Sequence, residues 1–350
     1  MAPGGLDIVR RRMGSLAVFL LLTGGVGQAL GQTGAGRSMP EALAPLWFPL
    51  GLVARFAVVP ADNPLTATKI ALGKQLFWDP RWSTTGTVAC ISCHQPEHGW
   101  SDPQRLSVDH TGQPTARHTP TLINRLFSQT QGWAGHRASL EELLARLPFT
   151  GPAAVIRLGN IPDYQEQFRR VFGSAVTADG VAQALAAYTR TILSGQAPYD
   201  RFKAGDQQAL SEAAQHGLRL FEGKARCSRC HSGFNFTDED YYNLGIGMDQ
   251  TTPDRGRATV TQDDADTGAF KTPTLRDVAR SAPYMHDGSL ATLEQVVDLY
   301  AQGGHANPWL SPKSQPFDLT AAERADLVTF LQALTGEVAP EVSRPPLLPR

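Results

Sequence analysis

The chain has 350 residues, enough for two domains of ordinary size. Hydrophobic residues make up 41% and charged residues 19%, a balance that excludes a disordered chain. The formal net charge of -1 excludes a nucleic-acid partner held by bulk charge.

The N-terminus reads as a secretory signal. Arg10, Arg11 and Arg12 form a positive start, Ser15 to Val26 a short apolar run, and Ala29 and Gly31 a small-x-small pattern with the cut expected after Gly31. That run is shorter than the about 20 apolar residues of a spanning helix. An uncleaved anchor is the alternative. The mature protein is expected in the periplasm, with no membrane span.

The elements that follow are nearly all helical. Leu65 to Trp78 is amphipathic and predicts a helix. Residues 79–120 read as a long Gly/Pro/polar loop. Ser139-Leu140-Glu141-Glu142 is a capping box that opens a short helix. Helices are expected over Tyr164 to Phe172, Asp179 to Leu193 and Ser211 to Phe221, and a second long loop over 232–273. Thr292-Leu293-Glu294-Gln295 and Thr320-Ala321-Ala322-Glu323 are further capping boxes, with Gly336 as a C′ stop. Loops this long count against a compact fold unless something else supplies core.

All four cysteines lie in two copies of Cys-x-x-Cys-His: Cys90-Ile91-Ser92-Cys93-His94 and Cys227-Ser228-Arg229-Cys230-His231. That is the c-type haem attachment pattern, in which both thiols bond the porphyrin edge and the adjacent His binds iron. Two covalently bound haem c groups would supply the core that the loops wrap. A Cys₄ zinc site does not require a His after both pairs. A redox dithiol belongs in a βαβ context, and no strand pattern surrounds these motifs. A zinc-binding interaction module is the reading left if haem is absent.

The halves resemble each other. Thr119-Pro120-Thr121-Leu122 matches Thr272-Pro273-Thr274-Leu275, and the Ser139 box matches the Thr292 box. This predicts an internal duplication with one haem per half. The junction falls near Gly195 to Gly205. The expected units are a signal over 1–31, an N-terminal haem domain over 32–200, a C-terminal haem domain over 201–340 and a tail over 341–350.

Leu72-Gly73-Lys74-Gln75-Leu76-Phe77, both haem motifs, Ser194 to Phe202, and Ala282-Pro283-Tyr284-Met285-His286-Asp287-Gly288 resemble the bacterial dihaem cytochrome c peroxidase / MauG family over about residues 60–336. The resemblance implies two cytochrome c-like domains with the active site at their interface. It implies a peroxidatic haem on His94, an electron-relaying haem on His231, and a relay Trp, here Trp133. Peroxidase members place a Met fourteen residues after the His of the His-Asp-Gly turn, and MauG-type members an axial Tyr; counted from His286 that position is Tyr300. A phenolate stabilises oxidised iron, whereas Met raises the potential. Met285 or Met248 is the alternative ligand.

Three features depart from the family pattern. The distal Gln and Glu are not evident in the shortened segment Leu143 to Ala154, and Glu142 is more simply a capping residue. His110, sixteen residues after His94, stands where a His can close the resting iron; otherwise it is a solvated loop residue. His118 occupies the position of an Asn calcium ligand. Imidazole is a poor calcium ligand, which weakens the case for calcium and leaves backbone oxygens near Ser281 and Pro283 as donors.

The resulting expectation is a periplasmic oxidoreductase that reduces hydrogen peroxide. Its electrons would come from a small cytochrome c or cupredoxin, or from a protein substrate. The alternative is a dihaem electron-transfer cytochrome without peroxide chemistry.

Overall fold

Short polar side chains and prolines set the helix starts. In the computed structural model, which describes residues 41–147 and 151–350, α1 (Ala67–Trp78) is capped by Thr66, whose hydroxyl accepts from the Lys69 N–H at 3.2 Å. Ser139 caps α2 (Leu140–Ala145) in the same way. Prolines open α3 (Pro152–Gly159) and α4 (Pro162–Phe172), where a missing N–H is harmless. Thr177 caps α5 (Ala178–Thr189), and α6 (Pro198–Lys203) follows with Asp200 accepting from the Ala197 N–H. Ser211 caps α7 (Glu212–Glu222), and α8 (Ala258–Thr261) is a single turn. Full capping boxes open α9 (Leu293–Ala301) and α10 (Ala321–Gln332), and α11 (Pro340–Ser343) is short. The expected signal segment 1–31 lies outside the described residues, as do Pro148, Phe149 and Thr150.

The fold is mainly helical, as expected, with departures in detail. A two-stranded antiparallel sheet pairs β1 (Tyr241–Asn243) with β2 (Ala269–Lys271), Tyr242 opposite Phe270, inside the segment expected to be loop. The helix expected to reach Leu193 ends at Thr189. Gly336 is not a C′ residue: α10 ends at Gln332 with Ala333 as its cap. Gly336 instead permits a close backbone approach, since a Cβ there would stand 2.5 Å from the Gly195 carbonyl oxygen. Beside it, the Glu337 N–H donates to that carbonyl at 2.7 Å.

Two helix crossings organise the core, and they repeat each other. α1 meets α5 at Gly73, where a Cβ would lie 1.8 Å from the Ala184 carbonyl oxygen. α7 meets α10 at Gly217, where a Cβ would lie 2.0 Å from the Asp326 carbonyl oxygen. Each glycine stands three residues before a buried Leu-Phe pair, Leu76-Phe77 and Leu220-Phe221. One apolar cluster gathers around α1, α4 and α5, and a second around α7, α9 and α10. A third lies under the N-terminal segment with Leu43, Leu46 and Phe127.

The repeat extends to hydrogen bonds. The Thr121 hydroxyl donates to Gly99 O at 2.6 Å and accepts from the Ile123 N–H; the Thr274 hydroxyl donates to Asn235 O at 2.7 Å and accepts from the Arg276 N–H. Three residues on, Asn124 and Asp277 both adopt φ 58°. The described residues fall in one compact unit, and no helix among them is long and apolar enough to cross a membrane.

Candidate dihaem site

The two Cys-x-x-Cys-His segments fold alike. Cys90–Ser92 and Cys227–Arg229 are single 3₁₀ turns. The His94 N–H donates to Cys90 O at 2.9 Å, and the His231 N–H to Cys227 O at 2.9 Å. Each imidazole then lays its Nδ1 against a carbonyl a few residues on: Trp100 O at 3.1 Å for His94 and Phe236 O at 3.0 Å for His231. A ring that donates from Nδ1 carries its lone pair on Nε2, the arrangement that an iron-binding imidazole needs. Burial keeps both rings neutral, pulling His94 down to about 4 and lowering His231.

Both histidines line one continuous cavity of about 520 Å³. Trp133, Tyr300, Cys227 and Cys230 line it too. Cys90 and Cys93 stand back from the lining, Cys90 buried in the first core cluster. Burial is the main cause that pushes the Cys90 and Cys227 thiols up to about 12. Reactive dithiols show the opposite shift, so the geometry disfavours a redox pair. Among the described residues no group of three or more His, Cys, Asp or Glu side chains could hold a metal ion, which disfavours the Cys₄ zinc alternative.

Trp133 is pinned at both ends. Its Nε1–H donates to His118 O at 2.7 Å, and its carbonyl accepts from the Lys271 N–H at 2.8 Å. The His118 N–H in turn donates to His286 O at 2.7 Å, tying the Thr-Pro-Thr-Leu segment of the first half to the His-Asp-Gly turn of the second. The His118 ring is occupied: Nε2 faces Ser101 Oγ at 3.1 Å, and Nδ1 faces the Gln104 and Arg105 carbonyls. The Tyr300 phenol is held well above its ordinary range, first by burial and then by the Cys227 and Cys230 sulfurs. His110 lies on the turn around Asp109 and is not among the cavity-lining residues.

The two carboxylates near the shortened segment, Glu141 and Glu142, are engaged elsewhere. Glu141 forms an ion pair with buried Arg190 and accepts from Asn63 Nδ2 at 2.6 Å. Glu142 accepts from the Ala138 N–H at 3.0 Å, one residue before the Ser139 cap, so the Ser139 hydroxyl caps the helix without the reciprocal bond of a full capping box. No Asp or Glu lines the cavity among the described residues, whereas Arg117, Arg125, Arg226, Arg229, Lys271 and Lys313 do. An apolar cavity edged by cations alone fits groups that are flat, apolar and anionic at the rim, as two haems with their propionates are. With paired imidazole lone pairs, this donor set fits the group that the motifs imply.

Sequence reasoning missed the cations, Phe270 and His136 on this wall. They come from segments far apart in the chain and carry no motif. The one local signal is the glycine pair bracketing Trp133 and Ala134: Gly132 and Gly135 have φ 79° and 64°, and a Cβ on Gly132 would stand 2.3 Å from His136 Cε1.

Comparison with known proteins agrees with this reading. A family model described as di-haem cytochrome c peroxidase matches residues 67–208. The methylamine utilization protein MauG of Methylorubrum extorquens is 42% identical over 290 residues, 80% of this chain and 82% of that one. Cytochrome-c peroxidase IdrP1 of Denitromonas iodatirespirans is 39% identical, over 79% of this chain and 84% of that one. A crystal structure of a MauG-like protein associated with microbial copper homeostasis superposes with TM-score 0.76 at 32% identity, covering 83% of this chain and 96% of that one. The chain therefore belongs to the dihaem cytochrome c peroxidase / MauG family, and it is a dihaem peroxidase-like oxidoreductase.

Proposed function

We propose that this chain is a periplasmic enzyme that reduces hydrogen peroxide at a haem c held by His94. Electrons arrive through a second haem c on His231 and pass by way of Trp133. Cys90 with Cys93, and Cys227 with Cys230, would attach the two groups, and Tyr300 would hold the second group together with His231. The observation that carries the reading is that both His94 and His231, each with Nδ1 tied to a backbone carbonyl, open onto the cavity that Trp133 also lines.

Bound haem supplies reversible one-electron redox chemistry and an open iron position for peroxide. The chain's own residues do the rest. Carbonyls of Trp100 and Phe236 orient the imidazoles; Leu140, Leu143 and Leu147 keep water from the wall near Trp133. The His118 carbonyl holds the Trp133 N–H and so fixes the indole plane. Haem domains over 32–200 and 201–340 carry one group each. The signal over 1–31 exports the chain, and a small cytochrome c, a cupredoxin or a protein substrate is the reductant. Calcium is not part of this reading, since His118 is committed to Ser101 and two carbonyls.

The test is stopped-flow spectroscopy of the diferric protein mixed with peroxide, alongside a haem count by pyridine haemochrome. Two haems per chain and a rapid peroxide-dependent spectral change are expected; a colourless protein, or a single iron centre, overturns the proposal. A cavity wall with no carboxylate among the described residues favours one second reading, a dihaem electron-transfer cytochrome. There His110 closes the His94 iron, and His110→Gly would open it. Two six-coordinate low-spin haems in every redox state, with no reaction towards peroxide, would establish that reading.

A further inference from the structure

Reduction of peroxide needs a proton moved between its oxygens, and among the described residues no carboxylate lines this cavity to move it. The titratable side chains on the wall are mostly committed. His94 and His231 are held at Nδ1 by carbonyls, and His118 at both nitrogens by Ser101 and the Gln104 and Arg105 carbonyls. Lys271 Nζ donates to Thr130 O and Glu239 Oε2. His286 is buried and lies flat on Phe270, ring centroids 3.5 Å apart, which covers one face of it. The arginines do not release protons near neutral pH.

His136 is different. It lines the cavity, remains solvent-accessible, and makes no hydrogen bond through either ring nitrogen among the described residues. Its place is built: the ring sits against Gly132, where any side chain would collide with Cε1 and Nδ1. It stands on the same short segment as Trp133 and leads into α2, whose Leu140 and Leu143 line the wall beside it.

We propose that His136 is the proton carrier for peroxide in this cavity, taking the part that a carboxylate would otherwise play. The inference rests on the proposed function and deepens it. The overall reaction is H₂O₂ + 2 H⁺ + 2 e⁻ giving two waters. His136 takes a proton from one peroxide oxygen at a ring nitrogen and returns it to the other as the O–O bond breaks. That second oxygen leaves as water with the bonding pair. The first oxygen takes up two electrons from bound haem and two protons from solvent and leaves as the second water, and the external reductant restores the electrons. The groups that act on the ring electrostatically are Arg137, Arg117 and Glu142; burial first and the two arginines next lower its pKa, so the imidazole is neutral and ready to accept.

The test compares wild-type, His136→Leu and His136→Gln holoproteins in two measurements. One is the rate of the first peroxide-dependent spectral change. The other is the pH profile of cyanide association with the ferric protein, which needs HCN to lose a proton but involves no turnover. Loss of a positioned acid–base group is expected to slow the peroxide step roughly 10²–10⁴-fold in His136→Leu. It is also expected to slow cyanide association and remove its inflection, with haem content and the resting spectrum unchanged. Wild-type rates in both variants overturn the role of His136 and leave the proposed function standing. Faster peroxide reaction with a shift to high spin marks His136 as an iron ligand and also overturns it. A wild-type protein inert to peroxide overturns the proposed function itself.

Discussion

Tyr300 shows how one side chain sets what a haem site can do. Its phenol lines the cavity beside Cys227 and Cys230, and burial holds it protonated in the absence of a metal. An iron ion would displace that proton, and the anionic oxygen would favour the oxidised state. Tyr300→Met replaces a hard anion by a soft thioether, so the midpoint potential of one haem is expected to rise while the other stays. Spectroelectrochemical titration reads this directly, and two unmoved potentials would remove Tyr300 from the ligand set. Trp133→Phe is expected to keep both haems and both potentials but to slow equilibration between them, because the ring loses its bond to the His118 carbonyl and its easily oxidised indole. Flash-reduction kinetics measure that rate, and an unchanged value would make Trp133 a packing residue.

Between elements, α1, α2 and α5 are joined by a polar network at their ends. Lys69 Nζ donates to Asn63 Oδ1 at 2.8 Å, Asn63 Nδ2 donates to Glu141, and Glu141 pairs with Arg190 just past α5. The Glu141 carboxyl sits below its usual range: burial opposes this, and the Arg190 and Asn63 hydrogen bonds outweigh it. A depressed folded-state pKa adds stability above the unfolded value near 4.5, and that stability is lost as pH falls through the folded value. Melting temperature should therefore decline below about pH 4.5 in wild type. Glu141→Gln should start lower at neutral pH, with Arg190 left unpaired, and fall less steeply in acid. Parallel slopes would show that this carboxylate does not drive acid sensitivity. The Ser139 cap of this region was legible in the sequence because it is local, a side chain acting on backbone three residues away, and the two haem motifs were legible as five-residue patterns. The strands of β1 and β2 were not, since three residues carry no periodicity. Nor was α3, whose start at Pro152 lacks a side-chain cap. The cavity wall was least legible of all: Arg117, His136, Phe270 and Lys271 come together only after the helices cross, whereas Tyr300 was read from its spacing after His286.

Over the whole molecule, a buried charge pair ties α6 and the N-terminal segment to the second haem turn. Arg276 follows the Thr-Pro-Thr-Leu segment of the second half, and Asp200 lies on α6, whose Tyr199 and Phe202 pack against the second apolar cluster. Their side chains are each 1% exposed and meet at 2.7 Å and 2.9 Å through two guanidinium nitrogens. Arg276 also donates to the Phe234 carbonyl, three residues past His231, and to the Gly51 carbonyl, so the second haem turn and the N-terminal segment share one guanidinium. Replacing only one partner strands the other's charge away from water, a loss of about 3–5 kcal/mol. Arg276→Met and Asp200→Leu should each lower the melting temperature sharply. The double variant should recover much of it, because two apolar groups leave no charge uncompensated. Calorimetry separates two meanings of the pair. If the second apolar cluster depends on it, the single variants unfold in two transitions, the part with α7 and α10 first. If apolar packing at the seam suffices, they keep one transition at a lower temperature. A single-variant melting temperature equal to wild type would show that neither holds and that this pair adds nothing to the stability of the fold.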